Sequence, residues 1–349
     1  MQVLVDINHP AHAHFFRRPI DILRDRGHEI LVTSRDKDIT LKLLDSLAVE
    51  HQVLSAQRRG GLAGLALELI SRNRQLRRIV RDRRPDVMTA IGGTFVAQVG
   101  RLTGVPSVVF YDTENAKLQN LLTYPFASCV AAPQCYESWL PRRHLLYCGY
   151  HELSYLHPDV FRPDRDRAIA NGLAPEGDTF FLRLVAWRAN HDVRERGWSA
   201  DLVRRVVSHL EQHGRVLISA EGLLPDELEH HRYRGNPHEV HHVMAFARLF
   251  VGESATMASE CAVLGTPAIY AATTGRGYTN EQERRYGLVV NVFELEWPRI
   301  QSTINQMLDR PRETWSDARS RLLDDTVAVA SYAADCIEDH REQLRRYRG

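Results

Sequence analysis

A chain of 349 residues exceeds what one hydrophobic core comfortably organises, so two domains are the default. Its 44% apolar and 26% charged content is that of a globular protein, and 45 basic against 44 acidic residues leave no overall charge that would call for nucleic acid as a partner. No uncharged apolar run reaches the roughly 18 residues of a membrane-spanning helix, and the opening "MQVLVDINHPAHAHF" lacks the basic and long apolar regions of a signal peptide.

In chain order, "VLVDIN" reads as a strand, followed by a helix through "HFFRRPIDILRDRG". The strand "EILVTSR" and a helix over Ile39 to Leu47 come next. A longer basic helix is expected from Leu62 to Arg83. Leu65, Leu69, Leu76 and Val80 lie near one face, with Arg72, Arg74, Arg77, Arg78 and Arg81 crowding the others. Such a run is usually a solvated face, and it could also rest on anionic lipid. "PDVMTAIGG" leads into a helix over Phe95 to Leu102, and "PSVVFYD" and "ASCVAAP" are further strands.

The rhythm breaks around "GYHELSYLHPDVFRPDRD", which has three prolines and no clear period, and which reads as an inter-domain connection. It restarts with the strand "DTFFLRLVAW", the helix "WSADLVRRVVSHLEQHG", the strand "RVLISAEG", then "ARLFVGE" with its helix, and "PAIYAA". A charged helical tail closes the chain. The expected boundaries are a first domain over 1–155, a linker over 156–176, a second domain over 177–325 and a tail over 326–349. Strands alternating with helices give two doubly wound α/β domains. Ligands are expected at the C-terminal strand ends, in a cleft between the domains.

The stretch "VGESATMASECAVLGTP" combines strand, tight turn and helix. Ser254 and Thr256 fall where a helix offers free N–H groups and the positive end of its dipole, a place for phosphate. Glu260, one turn beyond Thr256, is positioned to accept the hydroxyls of a ribose. The bland alternative is a helix cap and a solvated glutamate.

Arg188, in "VAWRANHD" after the first strand of the second domain, suits bidentate phosphate contact. Arg183, inside that strand among apolar residues, needs a partner, either an internal carboxylate or a ligand phosphate. In the first domain "NHPAHAHF" carries His9, His12 and His14. The spacing H-x-x-H-x-H, without cysteine or paired carboxylates, points to a ligand-facing base rather than a metal set.

Asp112 and Glu114, at the end of "VVFYDTE", could move protons or hold sugar hydroxyls, or Asp112 could simply cap a helix. Gly92 and Gly93 before Thr94 form a weaker anion signal. The second histidine cluster, "HHRYRGNPHEVHH", fits no standard zinc spacing and reads as surface loop. The five cysteines, odd in number and without C-x-x-C, are expected to be reduced, mostly buried thiols of a cytoplasmic protein.

Taken together, "DINHPAHAHFF", "FYDTENAKLQN", "GYHELSYLHP", "WRANHD" and "GESATMASECAVLGTPAI" make the chain resemble domain-of-unknown-function family 354 over essentially its whole length. That family is related to the GT-B superfamily of UDP-sugar glycosyltransferases and the non-hydrolysing UDP-N-acetylglucosamine 2-epimerase. The resemblance implies a GT-B-like fold and a nucleotide-sugar ligand. In those relatives the pattern S-G-G-x-x-x-E-A-x-x-L-G-x-P binds diphosphate through its helix start and ribose through its glutamate. Here the matching run goes from Ser254 through Glu260 to Pro267, with Ala255 and Thr256 replacing the two glycines.

The function expected from these pieces is a metal-independent glycosyltransferase without cofactor. Arg183, Arg188, Ser254, Thr256 and Glu260 would hold a UDP-sugar, and His12, His14, Asp112 and Glu114 would provide the chemistry. Expected partners are the nucleotide-sugar, a lipid-linked or polysaccharide acceptor at the inner face of a membrane, and a second copy of the chain in a homodimer. An epimerase using Asp112 and Glu114, or a non-catalytic nucleotide-sugar-binding subunit, are the alternatives.

Overall fold

The computed structural model describes residues 1–36, 40–46, 49–56, 61–185 and 197–348, which divide into two compact units. Unit 1 comprises Met1–Tyr155 and Val327–Gly349, and unit 2 comprises Leu156–Thr326.

Unit 1 begins with β1 (Gln2–Ile7), α1 (Pro10–Asp25), β2 (Glu29–Asp36), α2 (Thr40–Ser46), β3 (Gln52–Ala56) and α3 (Gly61–Arg83). It continues through β4 (Val87–Ile91), α4 (Thr94–Thr103), β5 (Ser107–Phe110), α5 (Lys117–Thr123), β6 (Cys129–Pro133), β7 (His144–Tyr147) and the short α6 (Leu153–Leu156) that leads into unit 2. Among the described residues its seven strands lie parallel in the order β3-β2-β1-β4-β5-β6-β7. Chain order reverses between β1 and β4, the switch point where doubly wound sheets place ligands.

Unit 2 contains α7 (Arg165–Ala170), β8 (Asp178–Leu184), α8 (Ala200–Glu211), β9 (Gly214–Ala220), α9 (Val240–Phe246), β10 (Leu249–Gly252), α10 (Ala255–Leu264) and β11 (Ala268–Ala271). α11 (Gly277–Glu281), β12 (Val289–Val292), α12 (Trp297–Leu308) and α13 (Arg312–Asp324) follow. Its five strands among the described residues are also parallel, in the order β12-β11-β10-β8-β9. Both units are therefore doubly wound α/β sheets, as the alternating pattern predicts.

The strands that read as apolar runs are the buried ones. Val3, Leu4 and Val5 in β1, Val108, Val109 and Phe110 in β5, and Phe180, Phe181 and Leu182 in β8 are fully buried, as parallel strands covered on both faces require. β3, β7 and β12 (Val289–Val292) escape the sequence reading. β3 is the edge of its sheet, half exposed, and β7 ("HLLY") has only four residues.

The expected charged tail forms α14 (Val329–Arg348), which packs on α1 within unit 1. Val329, Ala333, Ala334, Cys336 and Ile337 are buried, and Arg26 reaches Asp335 (2.8 Å) and Glu338 (2.6 Å).

Two expectations about charge change in three dimensions. Arg72, read with the solvated face of α3, is fully buried, and its Nη2 donates to Asp6 Oδ1 at 2.6 Å. The 3.6-residue period swings position 72 onto the sheet, where β1 places a carboxylate. The second histidine cluster is not a surface loop throughout: His231, His241 and His242 are buried, the last two on α9. All five cysteines are free, four of them buried.

Candidate functional site

In unit 1 the ends of β1, β5 and β7 contribute the polar groups. Pro10, with its fixed φ, starts α1, and His9 caps it, Nδ1 accepting from the Ala11 amide at 3.2 Å. His12 Nδ1 receives the Asn8 amide at 3.4 Å, while Asn8 Nδ2 donates to Asp6 Oδ2 at 2.9 Å. Asp6 also accepts from Thr33 and from Arg72, so a fully satisfied buried carboxylate anchors the histidine loop. His14 faces elsewhere along α1, its ring stacked on Tyr155 at 5.2 Å.

Asp112, just past β5, accepts from Thr113 Oγ1 at 2.9 Å and lies 3.2 Å from Nδ1 of His151. Burial opposes its charge, but His151, Thr113 and His12 outweigh that and hold the carboxyl down at about 2. Asp112 is therefore a permanent anion that fixes His151.

His151 was not singled out from the sequence, where it fell within the irregular stretch "GYHELSYLHP". It is 6% exposed, between the rings of Phe15 (4.6 Å) and Tyr147 (6.5 Å, nearly parallel). With Nδ1 turned to Asp112, its Nε2 is buried and has no hydrogen-bond partner among the described residues. An imidazole oriented by a carboxylate at one nitrogen and open at the other can take up a proton. The signal available in sequence was a histidine beside a glutamate shortly after a strand, legible only once "HLLY" is known to be one. Glu114 Oε1 accepts the Glu137 amide at 3.4 Å.

The Gly-Gly turn has a packing role. Gly93 caps α4 at φ 53°, and a Cβ there would collide with Val109. The Gly92 carbonyl accepts from Tyr111 (2.6 Å) and Thr123 (3.1 Å).

In unit 2 the corresponding features gather where β8 and β10 end. Ser254 is the N-cap of α10, Oγ accepting from the Met257 amide at 3.3 Å, and Thr256 is half-buried in the first turn. Glu260 is not a solvated glutamate. It is 6% exposed, and its Oε1 lies 3.0 Å from Nε2 of buried His241.

Arg183 meets a surface carboxylate, with Nη2 donating to exposed Glu221 (2.6 Å) and Nη1 to Ser219 (2.9 Å). The partner is thus a carboxylate, but an exposed one rather than the internal one expected. It is half-buried rather than inside the core, because it faces the edge strand β9. Arg188 lies outside the described residues.

The sequence reading passed over Glu253. One oxygen accepts the Val185 amide and the other the Trp198 amide, both at 3.1 Å, and Trp198 Nε1 donates to the Ala271 carbonyl at 3.0 Å. A single carboxylate thus brings residues 185 and 198, which flank "WRANHD", to the residue preceding the α10 cap. Among the described residues, His, Cys, Asp and Glu converge as a metal-type cluster only at Glu211, His230 and His231, away from these groups.

Residues 1–143 match the family described as "Protein of unknown function (DUF354)". No curated protein matches the chain. Among solved structures, the UDP-GlcNAc 2-epimerase of Neisseria meningitidis bound to UDP-GlcNAc is similar at TM-score 0.67 and 12% identity, covering 99% of this chain and 100% of that one. The Methanocaldococcus jannaschii UDP-GlcNAc 2-epimerase in complex with UDP-GlcNAc and UDP gives 0.65 and 13%, over 89% and 94%. CalG4, the calicheamicin glycosyltransferase, gives 0.59 and 16%, over 99% and 98%. The shared property at these identities is the fold: the paired Rossmann-like units of GT-B proteins.

Proposed function

We propose that this chain, whose first 143 residues fit the DUF354 family and whose two units have the GT-B fold, is an enzyme acting on a UDP-sugar, in the first place a metal-independent glycosyltransferase. The observation that carries the reading is the start of α10: a capped helix N-terminus at a parallel-strand end, with a buried carboxylate one turn on. Helix N–H groups suit a diphosphate, and a carboxylate already aligned by His241 suits the two hydroxyls of a ribose. Ser254, Thr256 and Glu260 would hold the nucleotide, with Glu253 fixing the neighbouring backbone and Arg188 adding charge to the leaving diphosphate.

In the transfer, a base removes the acceptor's hydroxyl proton, the oxygen bonds to the sugar's anomeric carbon, and UDP departs with the electron pair of the broken bond. His151, held by Asp112, is the base this geometry favours, with His12 beside Asp112 the next candidate and His14 the weakest. A lipid-linked acceptor finds support in a cavity of about 560 Å³ on unit 1, lined by Tyr124, Pro125, Trp139, Pro141, Arg142 and Arg143. Leu118, Leu121 and Phe126 are exposed on the same stretch of unit 1.

The Asp112–His151 pair equally suits proton exchange at a sugar carbon, which favours a UDP-sugar 2-epimerase as the second reading. Two incubations separate them. Release of free UDP from a panel of UDP-sugars, stimulated by lipid-phosphate acceptors and lost in His151→Ala, supports transfer. Deuterium entering C2 of UDP-N-acetylglucosamine in D₂O without acceptor, and lost in Asp112→Asn, replaces transfer with epimerisation.

A further inference from the structure

A second polar cluster lies in unit 2, at the edge strand of its sheet. Glu211 is the last residue of α8, and His230 and His231 end the 3₁₀ turn Asp226–His231. That turn runs into Arg232 and Tyr233, which cover the open edge of β9, the Tyr233 amide donating to the Ile218 carbonyl at 2.8 Å. One ligand-type atom from each of Glu211, His230 and His231 lies within 4.8 Å of the others.

We infer that Glu211, His230 and His231 form a binding site for one divalent transition metal ion of the Zn²⁺ type, which staples the edge-covering turn to the end of α8. The geometry of His231 carries the argument. Its Nδ1 lies 3.3 Å from the Val216 carbonyl oxygen and its Nε2 lies 3.1 Å from Glu211 Oε1. Both neighbours are acceptors, and a neutral imidazole has one N–H. Donating Nδ1–H to the carbonyl, the usual outer contact of a metal-bound histidine, leaves the Nε2 lone pair facing a carboxylate oxygen.

A cation between Nε2 and the carboxylate relieves that opposition. His230, its ring 3.9 Å from that of His231, brings the third ligand. Ligand atoms on a tetrahedral Zn²⁺ stand roughly 3.3 Å apart. The Nε2–Oε1 pair already meets that spacing, and rotation of the exposed His230 and Glu211 side chains closes the rest. Glu229 is not available, because it is taken by Arg232 at 2.6 and 2.9 Å.

Val216 lies in the first half of β9, whereas the proposed nucleotide-binding groups sit where strands of the same sheet end. The metal's role is therefore structural, and the metal independence proposed for turnover is unaffected.

The test titrates the full-length chain, stripped with EDTA and dialysed, with ZnCl₂ alone, by calorimetry and by thermal unfolding. One equivalent should bind and raise the unfolding temperature of the wild type. His230→Ala, which alters an exposed ring, and Glu211→Gln should each weaken binding by about tenfold or more, at least the loss seen on removing an outer-shell partner of a ligand. Their metal-free unfolding temperatures should stay close to the wild-type value. Absence of a stoichiometric Zn²⁺ equivalent in the wild type, or its retention in both variants, would overturn the site.

Discussion

Asp112→Asn isolates the charge that holds His151, because the amide keeps the shape of the carboxylate. In the folded protein the carboxyl titrates at about 2 rather than the ordinary 3.8. At about 1.4 kcal/mol per pH unit, that difference is worth about 2.5 kcal/mol, an upper value because the side chain is 23% exposed. A depressed carboxyl pKa stabilises the fold above the unfolded-state value and loses that contribution as pH falls through the folded-state value. Asp112→Asn should therefore cost unit 1 up to about 2.5 kcal/mol at pH 6, and the gap to the wild type should narrow between about pH 4 and pH 2.

The assay must report on unit 1 alone, since a two-unit chain need not unfold in one step. Trp139 is the single tryptophan of unit 1, and its ring packs edge-on against Tyr124 at 4.8 Å. Fluorine NMR of protein labelled with 5-fluorotryptophan, followed through a urea titration at each pH, gives that unit its own midpoint. A gap between wild type and Asp112→Asn that is the same at pH 6 and pH 2.5 would refute the electrostatic account of the pair.

Glu253→Ala should leave the Val185 and Trp198 amides without their acceptor, costing unit 2 about 2–4 kcal/mol and accelerating their hydrogen exchange; unchanged exchange at both would count against the clamp. Breaking the buried ion pair with Asp6→Asn or Arg72→Met should each destabilise unit 1 by about 3–5 kcal/mol, while the double variant recovers part of the loss in urea unfolding. In calorimetry, Glu260→Ala should weaken UDP by roughly ten- to a hundredfold and inorganic diphosphate by much less. Equal losses would mean that Glu260 only packs with His241. Once an acceptor is known, EDTA should leave turnover intact, and loss restored by Mg²⁺ would contradict the proposed leaving-group stabilisation.

Most of the parallel strands and the α/β alternation were legible in the sequence because the information is local. A covered parallel strand needs a short apolar run such as "TFFL", and a helix start needs a capping side chain such as Ser199 or Ser254 within a few residues of the amide it receives. The α10 stretch was legible for the same reason, since cap, first turn and Glu260 all lie within seven consecutive residues.

What the side chains meet could not be read this way. Arg72 finds Asp6 across 66 residues because β1 is an interior strand of its sheet, and Glu260 finds His241 because α9 packs on α10. Asp112 finds His151 because β5 and β7 flank β6 and end on the same side. Periodicity determines which face a residue occupies. Only strand order and helix packing determine which buried donor stands opposite which buried acceptor, and a low-dielectric interior makes that pairing obligatory.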